Sequence, residues 1–191
     1  MSEKIVLAST SPYRREQLSR LGLPFTALKP LADEEAEKKD LWSPLALAQR
    51  LAYIKAESLL DAAPTVIGGD QLVAFNGKII GKSGGFEKSR KTLLEMRAQT
   101  HELITAVCIF HQRRPYSFVD ITRLKMKSLT EQQIESYLKT ETPYDCAGSY
   151  KIESKGLFLF EKIESSDFSA IQGLPLMKTA RILESVGYKI L

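Results

Sequence analysis

Ser9-Thr10-Ser11-Pro12-Tyr13-Arg14-Arg15 sets two serine hydroxyls and two guanidinium groups within seven consecutive residues. Serine hydroxyls and free backbone N–H groups at a strand-to-helix junction make an anion site. Two adjacent arginines entering a helix are disfavoured by its macrodipole, so something negative should offset them. A polyphosphate fits, because guanidinium binds phosphate oxygens bidentately; the alternative is an arginine pair solvated on the first turn. Asp33 and Glu34 lie far from Asp70 in sequence, yet each stands at the end of an element rather than on a helical face. Carboxylates that meet in a cleft form the ligand set of a hard divalent cation such as Mg²⁺ or Mn²⁺. Such an ion would neutralise a triphosphate and polarise an attacking water, and an Asp beside it would act as general base. Taken singly, Asp33, Glu34 and Glu35 read as a solvated acidic loop, whereas Asp70, between Gly69 and Gln71 after a buried strand, is less easily given to solvent. Lys55 and Lys82 complete the set with two ammonium groups able to meet separate phosphates.

The elements that must position these groups follow from the hydrophobic pattern. Lys4–Ala8 reads as a buried strand, and Ser9–Pro12 supplies the cap and first turn of a helix running to about Leu21 before Gly22. Phe25–Leu31 is a second candidate strand. Ser43-Pro44 opens a helix to about Leu60 whose apolar stripe is Leu45, Ala48, Ala52 and Leu59, with Lys55 in the one vacancy. A lysine on an inward stripe either does chemistry or snorkels its head out to water. Val66–Gln71 is a strand that delivers Asp70 at its end. Leu72–Phe75 and Lys78–Ile80 flank Asn76-Gly77 as a hairpin. Further on come a helix over Glu87–Met96, strands over His101–Phe110 and Tyr116–Lys127 with a turn at Gln112–Pro115, and a helix opened by the capping box Thr130–Gln133. Tyr144–Gly156 is irregular, Leu157–Ile163 is a strand, and Gly173-Leu174-Pro175 opens the last helix. Alternating strands and helices imply an α/β or mixed α+β domain around one twisted sheet.

Composition narrows the function classes. The chain has 191 residues, 27 basic against 23 acidic, a net charge of +4, and 43% hydrophobic residues. That is long enough to bury a core without a metal or disulfide, and a single domain is expected. The interspersed charge argues against a nucleic-acid groove and leaves room for small anionic ligands. Cys108 and Cys146 offer neither metal spacing nor a disulfide framework; Cys108, in the apolar run Ile104–Phe110, reads as a core thiol. No signal-peptide pattern or ~18-residue apolar span occurs, so a cytoplasmic protein without membrane partners is expected. A homodimer is compatible with the sequence. P-loop, GxGxxG and HExxH signatures are absent from the sequence. His101 reads as structural and His111 as a turn residue.

Taken in order, Leu7–Leu18 (LASTSPYRREQL), Asp33-Glu34, Ala52–Ser58 (AYIKAES), Gly68–Val73 (GGDQLV), Gly81-Lys82, Thr100–Val107 (THELITAV), Tyr144–Gly156 (YDCAGSYKIESKG) and Gly173–Leu176 (GLPL) resemble the Maf family of nucleoside triphosphate pyrophosphatases across essentially the whole chain. The resemblance implies an elongated, twisted mixed β-sheet flanked by helices, of the Maf/ITPase-like type, with two lobes and a cleft between them. It implies hydrolysis of the α–β phosphate bond to a nucleoside monophosphate and pyrophosphate, dependent on a divalent metal. Asp70 matches the family's proton acceptor, and Ser9, Ser11, Arg14, Arg15, Glu34, Lys55 and Lys82 match phosphate and metal contacts, with Glu34 and Asp70 toward the metal. The resemblance also carries an alternative, a nucleotide-binding regulator of cell division without useful turnover.

Tyr13, Gln71 and Glu153 stand where the dTTP/UTP branch carries Arg, Thr and Gln, and so resemble the branch acting on 7-methyl-GTP, which often has Trp at the Tyr13 position. That branch implies a housecleaning role on modified nucleotides; the alternative is a dTTP, UTP or CTP pyrophosphatase of the same family. A 7-methylated guanine carries a delocalised positive charge that favours an aromatic face by ~0.5–2 kcal/mol. A glutamate carboxylate can accept from the guanine N1–H and exocyclic amine together. Tyr13 is therefore expected to stack, Glu153 to read the base edge and Gln71 to line the pocket. The competing reading of Glu153 is a solvated acid paired with Lys151 or Lys155.

Overall fold

Ile5–Ala8 (β1) is apolar and buried at every position, as a strand covered on both faces must be. It belongs to a computed structural model that describes residues 4–37 and 42–191. β1 pairs in parallel with Phe25–Leu28 (β2) on one side and with the start of Thr65–Phe75 (β3) on the other. β3 outruns β1. Thr65–Gly68 lie against β1, whereas Val73–Phe75 pair antiparallel with Lys78–Ile80 (β4) through the Asn76-Gly77 turn. The opposite edge of β3 is antiparallel to Thr100–His111 (β5). Arg114–Met126 (β6) and Phe160–Glu164 (β7) follow, giving a mixed seven-stranded sheet in the order β2-β1-β3-β5-β6-β7 with β4 on β3. Among the described residues, one edge of β3 is thus without a strand partner from Gly69 to Leu72, between the end of β1 and the start of β4.

Helices cover both faces. Pro12–Ser19 (α1) starts where the Ser11 hydroxyl accepts the Arg14 N–H, and Pro44–Glu57 (α3) starts where the Ser43 hydroxyl accepts the Ala46 N–H; both have proline in the first turn, where no donor is lost. Glu34–Glu37 (α2) is a single short turn between them. Ala48, Ala52 and Ala56 of α3 pack with Val6, Val66, Ile104 and Phe110 on one face of the sheet. Leu18 of α1 and Leu183 of Leu176–Ser185 (α6) pack with Ile5, Leu7, Ile67 and Ile109 on the other. Phe86–Met96 (α4) and Glu131–Glu141 (α5) cover a third cluster at the β4–β7 end, α5 opening with the expected capping box of Thr130 and Gln133. Among the described residues no helix is long and apolar enough to cross a membrane.

Three local expectations are corrected. Of the expected stripe, Ala48, Ala52 and inward Lys55 are buried on α3 and Leu59 just past its end, but Leu45 is exposed; the buried face is wider, with Leu47, Leu51, Ile54 and Ala56 added. The reason is that α3 is covered on two sides, its alanines by the sheet and Leu47, Leu51 and Ile54 by a separate cluster that includes Ala32. The β5–β6 turn is the two residues Gln112-Arg113, not four; both have positive φ, 48° and 63°, as a tight hairpin turn demands. Leu157–Leu159 belong to a 3₁₀ turn, Lys155–Leu159, and the strand begins only at Phe160. There the chain doubles back on itself so closely that a Cβ on Gly156 would sit 2.1 Å from the Lys151 carbonyl oxygen.

Candidate active site

Lys55 reaches the open edge of β3 because α3 lies unusually close to the strand. A Cβ on Gly68 would stand 2.4 Å from the Ala52 carbonyl oxygen and 2.6 Å from the Ala56 nitrogen, so only glycine lets the helix backbone settle there. Lys55, on the same turn, is delivered two residues further along β3. Its Nζ donates to Asp70 Oδ1 at 2.6 Å and lies 2.9 Å from Glu34 Oε2. Lys55 and Asp70 are each 8% exposed, so the head does not snorkel to water. A buried pair of this kind stabilises little by itself, yet removing one partner leaves a charge uncompensated. Asp70 Oδ2 is buried and accepts no hydrogen bond among the described residues, and an unpaired buried oxygen costs about 1–3 kcal/mol. One oxygen of Asp70 is therefore fixed by Lys55 while the other is uncommitted.

A cavity of about 250 Å³ opens beside this pair, lined by Ser9, Thr10, Ser11, Arg14, Lys29, Glu34 and Lys55. Ser9 and Lys29 directly follow the paired ends of parallel β1 and β2, the end of a parallel sheet where ligands bind. The Ser9 hydroxyl accepts the Ser11 N–H at 3.1 Å and the Ser11 hydroxyl accepts the Arg14 N–H at 3.3 Å. These two backbone donors are thus already used, and it is the hydroxyl protons that remain to be given. Arg14 is half-buried, its Nε donating to the Gly173 carbonyl at 2.9 Å. Desolvation lowers its pKa below the ordinary guanidinium value, and the carboxylates of Asp70 and Glu34 oppose that shift. The anion-facing arginine therefore has the negative neighbours that its place in the first turn of α1 calls for.

Not all the expected groups meet here. Asp33 was expected with Glu34 and Asp70 in a carboxylate set, but its Oδ1 accepts the Ala36 N–H at 3.1 Å and caps α2, since a short acidic helix needs its first donors satisfied. Glu37 turns away to Arg50 in a bidentate pair at 2.8 and 3.0 Å. Arg15 is exposed and outside the cavity wall. Lys82 is exposed as well; its backbone bridges to Ala147.

A second cavity, of about 170 Å³, gathers Tyr13, Gln71 and Glu153, with Val73, Leu103, Tyr150, Ile152, Ile171 and Cys146 around them. Consecutive residues serve the two cavities. α1 gives Tyr13 to one and Arg14 to the other, and β3 sends Asp70 toward α3 and Gln71 to its opposite face, as strand alternation requires. Gln71 Nε2 donates to Thr105 Oγ1 and to the Ala170 carbonyl, both at 2.8 Å, and lies 3.2 Å from the Ile171 carbonyl. Glu153 forms no ion pair among the described residues, and the Lys151 ammonium is directed instead to the Glu141 carbonyl at 3.1 Å. Crowding by its surroundings raises the Glu153 carboxyl above its ordinary 4.5 by desolvation, its own backbone opposing.

His101 is buried against Tyr150 of this cavity. Its Nε2 bonds the Tyr150 hydroxyl at 3.0 Å while Nδ1 has no partner among the described residues, and burial pushes its pKa down to about 4. His111 is not merely a turn residue, since it ends β5 with Nδ1 bonded to Thr65 Oγ1 at 2.9 Å. Cys108 is the core thiol expected, its pKa raised by burial. Lys29, Cys146, Tyr150 and Thr105 were not singled out from the sequence. Lys29 could have been, from its place just past a strand parallel to β1; Cys146 and Tyr150 lie in an irregular stretch with no period to place them.

A family model for Maf-like proteins matches residues 4–186. The chain belongs to the Maf family. Among the Maf proteins it resembles, one from Bdellovibrio bacteriovorus is 52% identical over 185 residues, covering 97% of this chain and 98% of the relative. One from Xanthomonas axonopodis pv. citri is 41% identical over 98% of both. Both are named 7-methyl-GTP pyrophosphatase. A nucleoside-triphosphatase/dITP/XTP pyrophosphatase from Mycobacterium abscessus, the first of the solved structures compared, is 14% identical with a TM-score of 0.43, over 66% of this chain and 75% of that one. A likeness that distant bears on nothing below.

Proposed function

We propose that this Maf protein is a nucleoside triphosphate pyrophosphatase that hydrolyses the α–β phosphate bond of 7-methyl-GTP, releasing 7-methyl-GMP and pyrophosphate. The observation that carries the reading is the meeting of Tyr13, Gln71 and Glu153 in one cavity while their sequence neighbours turn to a second, charged one, Arg14 in its wall and Asp70 bonded to its Lys55. The names of relatives that match nearly the full length support it.

In this reading the polyphosphate occupies the charged cavity, where Arg14 and Lys29 offset its charge and the Ser9 and Ser11 hydroxyls donate to its oxygens. Arg15 and Lys82, both exposed, make outer phosphate contacts. Lys55 holds Asp70 through Oδ1, which leaves Oδ2 to take a proton from the water that opens the α–β bridge. Glu34 and Asp70 fit a divalent cation, Mg²⁺ or Mn²⁺. Mg²⁺ is commonly held by one or two carboxylates together with substrate phosphates, and no cluster of three or more acidic, His or Cys ligands exists among the described residues. When bound, the ion would supply charge neutralisation at the phosphates. In the second cavity Tyr13 faces the methylated ring and the Glu153 carboxylate accepts from the guanine edge. The cytoplasm is the proposed location, with a small-molecule substrate and no nucleic-acid or membrane partner.

Pyrophosphate release from 7-methyl-GTP, GTP, dTTP and UTP, measured side by side with Mg²⁺ or Mn²⁺, tests the proposal. Preferred turnover of 7-methyl-GTP is expected. Preference for dTTP or UTP overturns the base assignment, and binding without pyrophosphate release overturns the enzyme.

A further inference from the structure

Gln71 is the polar residue of the second cavity whose hydrogen bonds are most fully accounted for. Its amide nitrogen faces three oxygens, those of the Thr105 hydroxyl and the Ala170 and Ile171 main-chain carbonyls. Two of the three are carbonyls, which only accept. The Thr105 hydroxyl donates its own proton to the same Ala170 carbonyl at 3.1 Å, so toward Gln71 it too can only accept. Turning the amide over would set Oε1 against two carbonyl oxygens that have no proton to give, and the NH₂ orientation is therefore forced. Thr105 lies directly opposite Gln71 in the β3–β5 register and is 1% exposed, so water does not compete for its hydroxyl.

The consequence is a fixed chemical identity for the Gln71 side chain. Both Gln71 N–H groups are spent on the protein, and Oε1 is the one polar atom of the amide left for the cavity that the residue lines. A glutamine in solution offers a ligand either a donor or an acceptor; this one offers an acceptor alone. Glu153, across the same cavity, is acceptor-only when ionised.

We propose that Thr105 is a positioning residue for base selection. Joined to the Ala170 carbonyl, its hydroxyl holds the Gln71 amide so that Gln71, like ionised Glu153, offers the base only an acceptor and selects bases that carry N–H donors on the edge they present. The proposal rests on the reading that this cavity takes the base, and it assigns the ligand class as a base with an N–H or NH₂ donor pair, against one presenting a carbonyl edge. Thr105 acts through Gln71 and needs no contact with substrate.

Two measurements on the full chain test it separately from that reading. The first uses no nucleotide: the Gln71 side-chain NH₂ pair, assigned by its loss in Gln71→Ala, is followed by ¹H–¹⁵N NMR. Slow solvent exchange in the wild type is expected, with faster exchange in Thr105→Val and recovery in Thr105→Ser. Equal exchange in wild type and Thr105→Val overturns the lock, whatever the enzyme hydrolyses. The second compares KM and kcat for 7-methyl-GTP and UTP. Thr105→Val is expected to raise KM for 7-methyl-GTP about 3- to 10-fold, the effect of one lost neutral hydrogen bond. The change in kcat should be smaller and the UTP constants should rise less, with Thr105→Ser restoring the wild-type ratio. A ratio of the two substrates unaltered by Thr105→Val contradicts the assignment, as does an equal fall in kcat for both. Wild-type indifference to 7-methyl-GTP, with the NH₂ pair still protected, would instead overturn the base assignment and leave the lock standing.

Discussion

The cavity around Lys55 and the cavity around Gln71 are built by neighbouring residues of α1 and β3, but they are held in opposite ways. Around Lys55 the order comes from charge, with an ammonium between two carboxylates and Asp70 Oδ2 left uncommitted. Around Gln71 it comes from neutral hydrogen bonds and apolar packing, with the amide saturated on its donor side. Charge supplies long reach and tolerates any ligand with the right sign, whereas a fixed neutral acceptor discriminates between ligands by single hydrogen bonds. On the proposed function, turnover belongs to the first region and choice of base to the second.

That division can be broken most sharply at Asp70. Asp70→Asn should lower kcat about 10²- to 10⁴-fold for every nucleotide that turns over, the range for a lost general base, with circular dichroism unchanged. Lys55→Met should cost stability as well as activity, about 3–5 kcal/mol in urea unfolding, because it leaves Asp70 charged and unpaired. Adding Asp70→Asn to Lys55→Met should then restore most of the stability and none of the turnover.

The first region was the more legible in sequence. The hydroxyl-rich junction before Pro12, the lysine on the inward face of α3 and the aspartate within a buried strand each carry their chemistry in residue type and spacing. What the letters did not hold was Asp33, whose carboxylate caps its own short helix, or the second covered side of α3 that leaves Leu45 outside the core. Of the second region, Tyr13, Gln71 and Glu153 were named through a family likeness. Thr105 and the carbonyls of Ala170 and Ile171 were not, since a main-chain carbonyl has no letter and strand register decides which threonine faces Gln71.

Smaller effects sharpen the comparison. Arg14→Ala should raise KM about 10- to 100-fold, as the loss of a charged hydrogen bond does, while exposed Arg15→Ala should change it less than about 3-fold. Glu153→Gln should lower the preference for 7-methyl-GTP over UTP about 10-fold. In the wild type, KM for 7-methyl-GTP should rise as pH falls through the elevated Glu153 titration, above the ordinary 4.5, and Glu153→Gln should flatten that rise. The least effect on catalysis belongs to His101, which should show in stability. Folded His101 stays neutral to about pH 4, whereas the unfolded chain takes up its proton near 6.5. Stability fully present above pH 6.5 is therefore lost between 6.5 and 4, by up to about 3 kcal/mol. His101→Gln should lessen that slope in urea titrations.

The central claim is that chemistry and base choice are separable, and the ratio of kcat/KM for 7-methyl-GTP to that for UTP measures it directly in wild type, Asp70→Asn and Glu153→Gln. The account predicts a ratio unchanged by Asp70→Asn, although both rates collapse, and a ratio lowered by Glu153→Gln with kcat for UTP near wild type. A ratio that moves with Asp70→Asn, or one that Glu153→Gln leaves untouched, would contradict it.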